Sequence, residues 1–325
     1  MKLLFKLLGI FFIAAVVIIG SVLWYQYDSF LKTPITVPAD NTTIEIKPGS
    51  NIRQVANQLE AKHIIPDGLL FFAHARLQGA AHKIKAGEYE LEVGMKPDDL
   101  LKKFVSGQVV QYPLSIIEGK RFKEIVADIH NHPTIEATLS DADLQNIMLK
   151  LGEAEGMQPE GWFLPDTYHF PRKTTDLEFL QRSHKAMQDY LTKAWEGRVP
   201  HPKITTPYQA LILASIVEKE TGLPEERPLV ARVFLNRLEK GMLLQTDPTV
   251  IYGIGDKYDG NIRKTDLQTD TPYNTYTRAR LTPTPIATPS KAAIDAVMHP
   301  VASNALYFVD HAGRRFAVFR NAGSA

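Results

Sequence analysis

Between Leu7 and Tyr27 the chain carries no charged residue, and most positions are Leu, Ile, Val, Phe or Ala. At about 1.5 Å per residue, a helix over this run covers the roughly 30 Å hydrocarbon core of a bilayer. Lys2 and Lys6 precede the run, and Trp24, Tyr25 and Tyr27 close it. That is the charge and aromatic placement of a span whose N-terminus faces the cytoplasm. A cleavable export signal is the competing pattern, but its apolar core is usually shorter and small residues mark its cut site. The bulky aromatics favour an uncleaved anchor. Residues 1–6 then form a cytoplasmic tail, 7–27 the span, and 28–41, which include Pro34 and Pro38, a linker.

Beyond the linker one pattern recurs three times. Ile44-Glu45-Ile46 alternates as a half-buried strand does, Pro48-Gly49 turns, and Val55 and Leu59 follow. Tyr89 to Val93 alternates, Gly94 turns, and Leu100 and Phe104 follow; Leu114 to Ile117 is apolar, Gly119 turns, and Ile125 and Ile129 follow. Apolar residues six and ten positions after each glycine allow a turn and then put both on one helical face. The region 42–130 therefore reads as small strand–turn–helix modules. The first is similar to a LysM-type glycan-binding module, and a packing module without a ligand fits the same pattern equally well. Uneven spacing excludes a solenoid array.

From Glu160 onward the polar positions become informative. Thr206-Pro207-Tyr208-Gln209 is a helix start, with Thr206 as N-cap, Pro207 in the first turn and Gln209 closing a capping box. Leu211 to Val217 is apolar on nearly every side apart from Ser215, so this helix is buried. Glu218, four positions after Ala214, extends a buried stripe; Glu220 points about 200° away, so only one of the two lines a given cleft. Burial and the negative helix end would both raise the pKa of Glu218, as a general acid needs. The bland alternative is a Glu at a helix end held by Lys219 or Arg227. Asn236 adjoins the apolar face of a second helix over 225–240. Around Gln245, Asp247, Tyr252, Asn274 and Tyr276 the loops carry the amide, hydroxyl and ring groups that a sugar cleft uses, and such groups are equally common in turns.

Composition narrows the chemistry. Lys and Arg number 37 against 36 Asp and Glu, so no basic field points to nucleic acid. The absence of cysteine removes disulfides, thiolate metal sites and a cysteine nucleophile. No histidine spacing fits a metal, no Gly-x-Ser-x-Gly elbow exists, and no phosphate-cradling glycine loop occurs. No metal and no cofactor is expected.

Five ordered segments then resemble the endolytic murein transglycosylase family, also called YceG-like. They are Glu160-Gly161-Trp162-Phe163-Leu164-Pro165-Asp166-Thr167-Tyr168, Ala214 to Thr221, Asn236-Arg237-Leu238, Leu244 to Val250, and Tyr273-Asn274-Thr275-Tyr276. The resemblance implies an α+β fold with an N-terminal transmembrane helix, LysM-like modules and a catalytic domain over 131–325. It implies a lyase that cuts the MurNAc–GlcNAc bond of nascent glycan strands, leaves 1,6-anhydro ends and helps to end strand elongation. Glu218 would be catalytic, and Asn236, Gln245, Asp247, Tyr252, Asn274 and Tyr276 would bind substrate. The implied partners are peptidoglycan strands, the inner (cytoplasmic) membrane and peptidoglycan synthases, with the catalytic domain periplasmic. A lysozyme-like hydrolase using Glu218 and Asp247 and a non-catalytic wall-binding scaffold are the rivals. Two stretches depart from the family. One is Arg280-Leu281-Thr282-Pro283, where the family usually has a glycine and two prolines. The other is the ending, which reads as truncated or altered, with Arg314, Arg315 and Arg320 where a packed strand is expected.

Overall fold

The computed structural model describes residues 2–39, 42–311 and 315–319, with side chains over 4–39 and 42–308. Two compact units form, residues 1–112 with 170–172, and residues 113–169 with 173–325. Helices and small two-stranded sheets make up the chain, so the class is α+β.

The first unit begins with α1 (Lys2–Lys32). Its segment Leu4–Lys32 is long and apolar enough to cross a membrane, with a mean hydropathy of 2.7 over its 18-residue apolar window. The helix does not stop at Tyr27. The Tyr27 hydroxyl hydrogen-bonds His74 Nδ1 at 2.8 Å, and Phe30 and Ile35 are buried in the core of the unit. The expected linker over 28–41 is therefore corrected: its first part belongs to the folded unit, because Phe30 and Ile35 remove apolar surface from water there. Residues 40 and 41 lie outside the described residues.

The rest of this unit is β1 (Thr43–Ile46), α2 (Ile52–Ala61), α3 (Gly68–Leu77), β2 (Gly87–Glu90) and α4 (Pro97–Ser106). Strands β1 and β2 pair antiparallel, with Ile44 opposite Tyr89. The periodic residues Val55, Leu59, Leu100 and Phe104 are all fully buried. Gly49, Gly94 and Gly119 have φ of 80°, 87° and 76°, the left-handed region where glycine meets no Cβ penalty. A helix starts three residues after each, at Ile52, Pro97 and Phe122. In all three the third helical side chain accepts from the N-cap N–H: Gln54 from Asn51, Asp99 from Lys96, and Glu124 from Arg121. The third repeat, with Ile125 and Ile129 buried, has its helix in the second unit.

The later elements are β3 (Tyr112–Ser115), α5 (Phe122–His130), the short α6 (Asp141–Gln145) and α7 (Ile147–Lys150), β4 (Thr167–Phe170) and α8 (Asp176–Glu196). Then come α9 (Pro207–Glu220), α10 (Arg227–Glu239), α11 (Asp247–Ile254), α12 (Lys264–Gln268), α13 (Lys291–Met298), β5 (Tyr307–His311) and β6 (Arg315–Phe319). Helix α9 is central and packs against α8, α10, α11 and α13. Every residue from Ala210 to Glu218 is buried. Thr206 caps α9 by accepting from Gln209 N–H at 3.2 Å. The expected capping box is corrected by one residue, since the Gln209 carboxamide accepts from Thr205 N–H at 2.7 Å. The altered ending keeps its strand: β6 pairs antiparallel with β5, Tyr307 opposite Phe319. Arg314 and Arg320 lie outside the described residues.

Candidate active site

The last two turns of α9 carry two carboxylates in opposite directions. Glu218, only 4% exposed at its side chain, ion-pairs through Oε1 with Arg227 of α10 at 2.9 Å. Its Oε2 accepts the Ser290 N–H at 2.8 Å and the Ser290 hydroxyl. Ser290 is the N-cap of α13, so this carboxylate faces the positive end of α13 as well as the guanidinium. Charge, burial and three donors are mutually matched, and both oxygens are engaged. That is the environment of a structural ion pair.

Glu220 occupies the other side. It is half-buried and accepts the Thr246 hydroxyl at 2.5 Å. Its pKa is raised, first by burial and further by the Asp247 charge, with the Thr246 hydrogen bond and Arg237 opposing. Asp247 opens α11 and accepts the Tyr276 hydroxyl at 2.6 Å. Gln245, exposed and at φ 51°, donates its N–H to Thr275 at 3.1 Å. Thr246 and Thr275 are further joined by a 3.1 Å bond from Thr246 N–H. Arg237 is buried behind the cluster and donates to the Leu244 and Leu306 carbonyls, both at 2.7 Å. A carboxyl whose pKa is raised, a second carboxylate and a phenol thus meet at one place. This arrangement can give a proton to a leaving oxygen and take one back.

The remaining expected residues divide. Asn236 spends its amide hydrogens on the Ser303 and Ala305 carbonyls, at 3.0 and 2.8 Å. Asn274 donates to the Thr269 carbonyl at 2.7 Å and accepts from Tyr276 N–H at 2.8 Å. Both are buried and hold backbone in place; Asn274 thereby sets where Tyr276 begins. Tyr252 lies apart from the Glu220 cluster, where its hydroxyl donates to Glu160 at 3.1 Å. Glu220, Thr246, Arg237 and Glu160 were given no site role in the sequence, although each falls in a segment named there. For Glu220 a signal existed, since it lies four and seven positions after Ile216 and Leu213, a stripe as apolar as that of Glu218.

Comparison with known proteins identifies the family. The description of the YceG-like family matches residues 44–321. An endolytic murein transglycosylase of Bacillus subtilis (strain 168) is 30% identical over 302 residues, covering 88% of this chain and 83% of that protein. The endolytic murein transglycosylase of Streptococcus pneumoniae (serotype 2, strain D39) is also 30% identical, over 89% of this chain, but the match spans only 58% of that protein's length. A crystal structure of a yceG-like protein of Listeria monocytogenes, lmo1499, superposes with a TM-score of 0.53 at 28% identity, covering 87% of this chain and 96% of that one. The chain belongs to the YceG-like family.

Proposed function

We propose that this chain is a peptidoglycan lytic transglycosylase in which Glu220 is the acid and then the base. The observation that carries the reading is the half-buried Glu220 carboxyl, its pKa raised, beside Asp247 and Tyr276. It joins the name borne by the Bacillus and Streptococcus relatives. Glu220, protonated, gives its proton to the oxygen linking N-acetylmuramic acid to N-acetylglucosamine, and the C1–O bond breaks. The carboxylate then takes the proton of the muramoyl C6 hydroxyl as O6 bonds to C1. A 1,6-anhydro ring forms, the carboxyl is restored and no water is consumed. One carboxylate suffices because the nucleophile belongs to the substrate. Glu218 is a positioning residue that ties the end of α9 to α10 and α13.

Further parts of the reading rest on the sequence pattern. The span in α1 anchors the chain with its N-terminus in the cytoplasm and the rest outside. The first unit, which has the strand–glycine–helix opening of a LysM-type module, binds glycan. The enzyme works beside the synthases that polymerise strands at the membrane, and its cuts end their elongation.

One alternative has an observation behind it. Asp247 stands close enough to Glu220 to raise its pKa, and a carboxylate pair is what a hydrolase uses to activate water. Mass spectrometry of products from purified peptidoglycan separates the readings. Anhydro-ended products that vanish with Glu220→Gln support the lyase. Products heavier by one water mark the hydrolase, and loss of cutting with Glu218→Gln but not Glu220→Gln returns the chemistry to Glu218.

A further inference from the structure

A cavity of about 450 Å³ in the second unit is lined by Arg121, Gln158, Glu160, Tyr252, Tyr273 and Thr284, among others. That volume is ordinary for a small-ligand site. We propose that this cavity is a second sugar subsite, which takes a neutral N-acetylated pyranose of the same strand, away from the bond that Glu220 breaks. The inference rests on the glycan-cleaving reading of the Glu220 cluster.

The cavity and the cluster share their two walls. Helix α11 supplies Asp247 to the cluster and Tyr252 to the cavity, five residues apart, about 7.5 Å along the helix axis and about 140° around it. The loop after α12 supplies Tyr276 to the first and Tyr273 to the second. Gly253 holds these walls together: a Cβ there would stand 3.1 Å from Thr271 Oγ1 and 3.3 Å from Tyr273 Cβ. A strand long enough to pass from one site to the other meets elements already fixed to each other.

The lining chemistry selects the ligand. The Tyr252 and Tyr273 rings meet edge to face at 4.8 Å, and the Tyr273 hydroxyl hydrogen-bonds Thr284 at 3.0 Å. Rings with polar tips suit the apolar face and hydroxyls of a sugar. Arg121 lies over the Tyr252 ring at 5.1 Å, and Lys123 pairs with Asp256 at the rim. Both cations are thus engaged before a ligand arrives, Arg121 over the ring and Lys123 with Asp256, which leaves the ring faces and polar tips to select the ligand. Glu160 is buried and accepts Phe122 N–H at 2.9 Å and the Tyr252 hydroxyl at 3.1 Å. Burial pushes its pKa up to about 7, so near neutrality it offers both a donor and an acceptor, as an acetamido group requires. The reaction at Glu220 uses none of these groups.

The test compares the full-length protein with its Arg121→Gln, Gln158→Ala and Tyr252→Phe variants in detergent, on peptide-free glycan strands of graded length. A remote subsite contributes only to strands that reach it. The expected result is a KM for long strands raised about tenfold, the equivalent of 1.4 kcal/mol, with the wild type's preference for long over short strands lost and its product lengths redistributed. Thermal unfolding checks each fold, and Tyr252→Phe removes one hydroxyl if the larger changes unfold the chain. An equal loss on all lengths, or none, overturns the subsite while the activity stands. A wild type that cuts no strand overturns the activity itself, and the subsite with it.

Discussion

Glu218 and Glu220 are two residues apart on α9, yet their surroundings differ in kind. Glu218 meets a guanidinium, a hydroxyl and the N–H at the start of a helix. Glu220 meets one hydroxyl and the repulsion of a second carboxylate. Helix geometry sends the two side chains about 200° apart, and what each then faces decides its use. A carboxylate with matched donors on both oxygens holds elements together. One that is desolvated and under-compensated is poised to exchange a proton. Glu160 is a third case, desolvated like Glu220 but tied to α5 and α11. Substitutions at these carboxylates break the contrast or sharpen it.

The largest expected effect is on activity. Glu220→Gln keeps the shape but cannot transfer a proton, so turnover should fall by about 10²–10⁴-fold, the usual contribution of general acid–base catalysis. Circular dichroism should show the fold unchanged. Glu220→Gln that cuts at the wild-type rate would end the distinction between the two glutamates.

Glu218→Ala should act on stability. It leaves Arg227 buried without its counter-charge and Ser290 without its acceptor, a change that typically costs about 3–5 kcal/mol. The melting temperature in detergent should drop, while protein that remains folded in the cold still yields product. A normal melting temperature with no cutting would exchange the roles of the two residues.

At Glu160 the expected readout is a pH slope. Its pKa is about 7 in the folded chain against an ordinary 4.5, so between those values the folded state keeps a proton that the unfolded state gives up. Stability should therefore fall as pH rises from about 4.5 to about 7, by up to about 3 kcal/mol, and level off above. Glu160→Gln should flatten that slope, as read from denaturation midpoints across the range. A slope unchanged in the variant would assign it to other groups.

What could be read from the sequence follows the same division. The first unit was legible because its strands and helices each have one buried face, so the six-and-ten spacing marked Val55, Leu59, Leu100 and Phe104 directly. The long apolar helix was legible from its uncharged length, but Phe30 and Ile35 look the same whether lipid or a folded core covers them. Helix α9 is buried on every side from Ala210 to Glu218, so Glu218 and Glu220 each continue an equally apolar stripe, and the periodicity does not choose between them. Arg227, nine positions from Glu218, was within reach of the sequence, but the other partners come from far along the chain, Ser290 at 72 positions and Thr246 at 26. Asn236 and Asn274 show the limit for polar residues, since an amide that holds backbone carbonyls looks like one that holds a sugar until the loops are in place.

The smallest effect belongs to Asp247, and it separates the two enzymatic readings. Asp247→Asn keeps an acceptor for the Tyr276 hydroxyl but removes the charge that helps to raise the Glu220 pKa. A lyase needs Glu220 protonated at the start, and without the neighbouring charge the proton is lost at lower pH. The alkaline limb of the pH–rate profile should therefore move toward acid, with a loss at neutral pH of about tenfold or less, since one pKa unit corresponds to about 1.4 kcal/mol. Anhydro ends should persist among the remaining products. A hydrolase that relies on Asp247 to activate water would instead be as inactive as the Glu220→Gln enzyme at every pH, because no shift of the Glu220 titration can replace a missing second carboxylate.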